Sequence, residues 1–279
     1  MPWRVPRVLA LCLVPCLLLL GCTTLPRTGE HRGLRVMTYN IQYGGGGQRL
    51  AEVIAAIRAE APDVVALQEV DVHWSPRSGF EDQATAIARA LDMQVRFAPI
   101  YDLADTARGG RRQFGVALLT RHPIVAFTNH AIARLSTQDS AAVMRAMPGF
   151  LAATLDVGGM PVRVFNTHLD YRRDPAVRRR QVADMLGVIG SADTATILFG
   201  DLNAPPSAPE LAPLLSRLRD AWPASGDPGH TIPATGPDRR IDYILVSPHF
   251  TVRRAWVPAT QASDHRPVVA ELVASRIRS

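Results

Sequence analysis

Residues 196–206 read TILFGDLNAPP. Thr196 to Phe199 are apolar or β-branched, the composition of a buried strand. The run continues through Gly200, Asp201, Leu202 and Asn203 and stops at Pro205 and Pro206. Period-two alternation puts Asp201 and Asn203 on one side of the chain and turns Leu202 away. A carboxylate closing a core strand is costly unless a cation or a donor compensates it. Taken alone, Asp201 is a common turn former or helix cap.

The same ending recurs. LRVMTYNI (34–41) ends at Asn40, DVVALQEV (63–70) at Gln68 and Glu69, and VFNTHLD (164–170) at His168 and Asp170. RRIDYILV (239–246) opens onto Asp242, and SDHRPVVAEL (263–272) starts with Asp264 and His265. Strand ends this rich in metal-binding and proton-transfer groups point to one shared site.

Between these strands the periodicity predicts helices over 50–59, 82–91 and 175–189 and near 207–218. Further strands are expected at 113–120 and 123–133, joined by a turn at Arg121–Pro123, and at 250–257 and 267–273. Residues 149–157 and 160–169 read as a hairpin about Gly158 and Gly159. Gly44 to Gly47 read as a flexible loop, and no GK[ST] follows them, so a phosphate cradle is not indicated. The alternation of strand and helix predicts one α/β domain, two packed central β-sheets flanked by helices.

The chain has 279 residues with 47% hydrophobic content and a formal charge of +6, enough to bury a sizeable core. Its basic residues are all arginine. An Arg-favouring genome explains this; Arg also suits phosphate, because its planar fork can bind two oxygens. Arg4 and Arg7 precede an apolar run from Val8 to Leu20, ending LLGC at 19–22. This resembles the signal of bacterial lipoproteins, with Cys22 as the acylated residue. Thr23 in place of Asp favours an outer-membrane lipoprotein facing the periplasm. The expected organisation is a signal peptide over 1–21, a polar tether over 22–33 and one domain over 34–275. All three cysteines lie at 12, 16 and 22, so the domain has no internal disulfide.

TYNI, LQEV, NTHL, GDLN, RIDYILVS and SDHRPV, in that order, resemble the endonuclease/exonuclease/phosphatase superfamily over about residues 34–273. The resemblance implies a four-layer α/β sandwich with the site at one edge of its two sheets. It implies Glu69 as the principal Mg²⁺ ligand (Mn²⁺ as a substitute), with Asn40 and Asp264 in or beside the metal shell. Oxygen ligands suit so hard a cation. It implies Asp201 as the group that orients or deprotonates water, and Asn203 as a holder of phosphate or nucleophile. His265 would bond a phosphoryl oxygen, Asp242 would orient His265, and His168 would donate to the phosphate or assist the leaving group. Arg145 stands where many relatives carry an acidic residue.

Arg145, Arg172 and Arg240 are candidates for the rim of an anionic cleft, and Trp74 and Trp222 for packing or substrate contact. His73, His122, His130, His230 and His249 lie outside the motifs and are expected to be surface or structural residues. The function expected is Mg²⁺-dependent phosphodiester hydrolysis by in-line water attack, on nucleic acid, a lipid head group or a small molecule. Phosphomonoester hydrolysis on inositol or lipid phosphates, and a non-catalytic binding lipoprotein, are the alternatives. No protein partner is legible.

Overall fold

A computed structural model describes residues 1–4, 33–191, 193–223 and 226–274. Cys22 and nearly all of the expected signal and tether lie outside the described residues. The chain divides into Met1–Glu30 and His31–Ser279, and the fold lies in the second unit.

Among the described residues, twelve strands form two mixed sheets of six. The first contains β1 (Gly33–Asn40), β2 (Val64–Val72), β3 (Gln94–Ala104), β4 (Arg111–Thr120), β11 (Phe250–Trp256) and β12 (Val268–Ala274), in the order β11-β12-β1-β2-β4-β3. The second contains β5 (Ile124–Arg134), β6 (Arg145–Val157), β7 (Met160–His168), β8 (Thr196–Asp201), β9 (Arg219–Asp220) and β10 (Asp242–Val246), in the order β5-β6-β7-β8-β10-β9. Each sheet has one parallel pair at its centre, β1–β2 and β7–β8, and antiparallel neighbours around it. A parallel pair needs a crossover. Helices α2 (Leu50–Glu60) and α4 (Ala176–Ile189) supply the two crossovers, while α3 (Gln83–Leu91) joins β2 to β3 and α5 (Ala212–Arg217) precedes β9.

Side-chain parity sorts the core into three layers. Val36, Val64, Leu118, Val164, Ile197, Phe199, Ile244 and Ala270 pack between the sheets. The opposite parity of the first sheet, Met37, Tyr39, Val65 and Leu67, packs against Val53 and Ile57 of α2 and Ile87 of α3. Phe165, Leu198, Tyr243 and Leu245 of the second sheet pack against Val182 and Met185 of α4 and Leu214 of α5. The order is therefore helices, sheet, sheet, helices.

Several sequence expectations change. The strand at 94–104 has no counterpart in the sequence pattern; its burial alternates weakly, Pro99 interrupts it, and it lies at the sheet edge. The turn at Arg121–Pro123 does not close a hairpin: β4 lies in the first sheet and β5 in the second. The segment near 207–218 is a 3₁₀ turn, Pro209–Leu211, followed by the short α5, because Pro209 and Pro213 limit a longer helix.

The glycine run, expected to be flexible, is a packed left-handed turn, α1 (Gln42–Gly45), whose positive φ persists from Gln42 through Gly47. A Cβ at Gly45 would lie 2.1 Å from the Ala262 carbonyl oxygen, and one at Gly47 1.9 Å from that of Arg77. Glycine alone lets the turn sit between those two loops. Gly79 has φ +59 but open space around it. Gly47→Ala is therefore expected to cost about 2–3 kcal/mol in urea unfolding, and Gly79→Ala about 1 kcal/mol, the conformational cost alone. Equal losses would contradict a steric role for the turn.

Candidate active site

The row of side chains that fills the space between the sheets turns polar at one edge. Along β8, Ile197 and Phe199 face the other sheet, and Asp201 is next in that row. Asn40 ends the corresponding row of β1, His168 that of β7, and Asp242 begins that of β10. Register completes the assembly: Asp201 pairs with His168 across the parallel ladder and with Asp242 across the antiparallel one.

Below this edge lies a buried polar floor. Gln68 Nε2 donates to Asn166 Oδ1 at 2.7 Å, and Asn166 Nδ2 donates to the Leu67 and Ala117 carbonyls at 2.9 Å. Gln68 also bonds Thr38 Oγ1 at 3.1 Å. These bonds join β1, β2 and β4 to β7, so the sheets cannot slide without breaking buried hydrogen bonds. Asn166 escaped the sequence reading, although it shares the parity of His168 in the quoted VFNTHLD stretch.

Alternation in a straight β2 would point Glu69 away from Gln68's side. A bulge between Leu67 and Val70, with Glu69 at φ +55, turns it back. Asn40 Nδ2 donates both to Glu69 Oε1 at 3.1 Å and to Asp201 Oδ2 at 3.0 Å. Asn40 Oδ1 accepts from the Gln42 amide at 3.0 Å, so the left-handed turn orients the amide that links the two carboxylates.

Asp201 is buried. Its Oδ1 accepts from the Asn203 amide at 2.9 Å; its Oδ2 lies 3.5 Å from His168 Nε2 and 3.7 Å from His265 Nε2. Burial, then the charge of Asp242, push its carboxyl above the usual range, against His265, His168 and Asn40. Asn203 holds φ +50, and its Nδ2 donates to the Leu169 carbonyl at 3.0 Å, tying the β8 end to the loop after His168. His168 Nε2 is also 4.0 Å from Glu69 Oε1.

His265 Nδ1 lies 2.9 Å from Asp242 Oδ2. Burial pulls the imidazole's pKa down, but the charges of Asp242 and Asp201 outweigh it and lift it to about 10. Thr231 Oγ1 donates to the same Asp242 oxygen at 2.6 Å, and the Arg266 amide donates to the Thr231 carbonyl at 2.7 Å. Ser263 Oγ donates to the Asn40 carbonyl at 2.8 Å. Thr231 and Ser263 sit in irregular segments, where no periodicity marks them. Asp264 takes a longer contact from Ser263 Oγ, 3.2 Å.

Of the rim arginines, Arg145 pairs with Asp139 at 3.1 Å, Arg240 with Asp220 at 2.7 Å, and Arg172 with Asp170. Trp74 is buried and packs against Tyr101 and Phe114 at centroid distances of 6.0 and 5.8 Å. Trp222 is buried, and its Nε1 donates to the Asp227 carbonyl at 2.7 Å.

The site fits a divalent cation. Asp242 Oδ1 is buried with no hydrogen-bond partner among the described residues. Asp201, Asp242 and His265 form a buried group whose ligand atoms lie within 4.8 Å of one another. The carboxylates of Glu69, Asp201, Asp242 and Asp264 outnumber the imidazoles of His168 and His265, a hard, acidic donor set. His265 is held as a cation by Asp242 and is a poor ligand in that form. The Glu69 side chain is 24% exposed.

A family model described as the Endonuclease/Exonuclease/phosphatase family matches residues 37–265. No curated protein matches the chain. Among solved structures, an endonuclease/exonuclease/phosphatase from Beutenbergia cavernae is 28% identical with a TM-score of 0.69, covering 88% of this chain and 72% of that one. The catalytic domain of human Nocturnin, solved with a bound sulfate anion, is 22% identical with a TM-score of 0.65, covering 88% and 94%. A mannosyl-6-phosphatase from Bacteroides thetaiotaomicron is 20% identical with a TM-score of 0.63, covering 86% and 99%.

Proposed function

This chain belongs to the endonuclease/exonuclease/phosphatase family, and on that premise we propose that it hydrolyses phosphate esters with a divalent cation, Mg²⁺ or Mn²⁺ in its place. The observation that carries this reading is Asp201: a buried carboxylate, raised in basicity, facing two imidazoles at the end of the inter-sheet row.

Asp201 accepts the proton of the attacking water, and Asn203 and Asn40 hold its two oxygens in place. His265, kept protonated by Asp242, donates a hydrogen bond to a phosphoryl oxygen, where negative charge grows. His168, on the other side of Asp201, donates to the phosphate or to the departing oxygen. Glu69, with Asn40 and Asp264 beside it, would hold the cation. When bound, the cation neutralises charge on the phosphoryl oxygens.

Diesters are favoured over monoesters because a cleft opens beside His168, giving a second ester arm somewhere to lie. A monoester reading draws support from the mannosyl-6-phosphatase neighbour. Bis(p-nitrophenyl) phosphate is expected to exceed p-nitrophenyl phosphate in kcat/KM by about tenfold or more with Mg²⁺. The reverse order would favour the monoesterase.

The N-terminal pattern supports export and anchoring through Cys22, at the outer membrane facing the periplasm. Cells fed labelled palmitate should label the chain, and Cys22→Ser should lose the label and leave the membrane fraction. Persistent labelling of that variant would contradict the anchor.

A further inference from the structure

The cleft beside His168 has about 80 Å³ of room and is lined by Tyr101, Phe114, Arg134, Thr137, Asp170 and Tyr171 among others. Arg134 is the unusual member. Its side chain is buried, and it donates from Nε to the Pro148 carbonyl at 3.0 Å, from Nη1 to the His168 carbonyl at 2.9 Å and from Nη2 to the Gly149 carbonyl at 3.0 Å. A guanidinium has five N–H donors, so two remain. No carboxylate lies within ion-pair distance of it among the described residues. Burial pushes its pKa down, though only to about 10, so it remains a cation at neutral pH.

Asp170, the carboxylate that lines the cleft, is already engaged. Arg172 bonds its Oδ2 from Nη1, and the Arg172 amide bonds its Oδ1 at 3.0 Å. Arg178 donates to the carbonyls of Asp170 and Arg172, fixing that loop. On the far wall, Tyr101 and Phe114 pack with Trp74, over which Arg112 and Arg77 lie at 5.6 and 6.0 Å. Arg77 is already paired with Asp71. The buried cation of the cleft is bonded only to neutral carbonyls. An uncompensated buried charge is costly, and an anion entering the cleft would relieve that cost.

We propose that the cleft beside His168 is a subsite for a second anionic group, carboxylate or phosphate, on one arm of the ester substrate, with Arg134 as its anchor. The proposal rests on the hydrolase reading for its substrate and on the cleft alone for its binding. It narrows the substrate class to phosphoesters that carry a charged group on one ester arm. The aromatic wall of Tyr101 and Phe114 covers the apolar part of that arm.

The test uses the full chain and three diesters of p-nitrophenyl phosphate, with ethyl, carboxymethyl or phosphonomethyl as the second arm. Calorimetric binding in EDTA, where turnover is suppressed, should favour the anionic arms over ethyl by about tenfold, an effect weakened by salt. Preference for both anionic arms, or for one, supports the subsite and identifies the group it takes. Arg134→Lys removes the planar fork, and Thr137→Glu places a carboxylate at the exposed cleft mouth; each should abolish the preference. If Arg134→Lys fails to fold, Thr137→Glu decides. Equal affinity for all three arms, or a preference that both variants retain, would overturn the proposal. With Mg²⁺ added, absence of turnover on every ester alongside a persisting preference would defeat the hydrolase reading and leave the subsite standing.

Discussion

Asp201→Asn is expected to lower kcat for a phosphodiester by about three orders of magnitude while leaving KM close to that of the wild type. The amide keeps the shape of the carboxylate, and its single oxygen can still accept from the Asn203 amide or from Asn40 Nδ2, though no longer from both. It cannot take a proton from water. The effect therefore falls on the chemical step, with binding contacts retained. The same variant is expected to be no less stable than the wild type, because it removes a charge that burial, and then Asp242, disfavour. Lost activity with retained stability distinguishes a proton acceptor from a structural carboxylate, whose replacement loses both. Steady-state kinetics and urea unfolding on one preparation measure the pair.

His265→Ala is expected to cost about 10³-fold in kcat, and Asp242→Asn about 10²-fold. Asp242 acts through His265: its Oδ2 meets Nδ1 at 2.9 Å, and Thr231 fixes the same oxygen. The double variant should therefore be no slower than His265→Ala alone, since a residue that only orients another has nothing left to orient. The pH profile gives a second readout. His265 must be protonated to donate, and its pKa of about 10 places the loss of that proton well above neutrality. In Asp242→Asn the burial that lowers the pKa is opposed by less negative charge, so the alkaline limb moves to lower pH. An unmoved limb would mean that His265 is not the donor.

Most of this site was legible because strands carry period-two information. Once a core row is identified in TILFGDLN, the position of Asp201 on it follows, and the same holds for Asn40, His168 and Asp242. Glu69 was legible as a residue but not in direction, since one extra residue in β2 reverses the parity after Leu67. Thr231 and Ser263 were not legible, because their roles depend on where irregular loops return to the sheet edge. Arg134 was hidden for a different reason. At the end of an apolar strand, PIVAFTNHAIAR, an arginine reads as a solvated terminus, and only the folded chain buries it under Pro148, Gly149 and His168. The strand at 94–104 lies half exposed at an edge and lacks a continuous apolar run. Which sheet β5 joins was equally hidden, since a local turn looks the same whether it closes a hairpin or crosses between sheets.

Hydrolysis of bis(p-nitrophenyl) phosphate by the full chain, measured after dialysis against EDTA and again after Mg²⁺ is restored, tests most directly whether these strand ends form one cation-dependent phosphoester centre. The rate should fall to background in EDTA and return with Mg²⁺ in the wild type, while Glu69→Gln should require a markedly higher Mg²⁺ concentration for half-recovery. A rate that EDTA leaves unchanged, or a Glu69→Gln variant with the wild-type Mg²⁺ requirement, would contradict it.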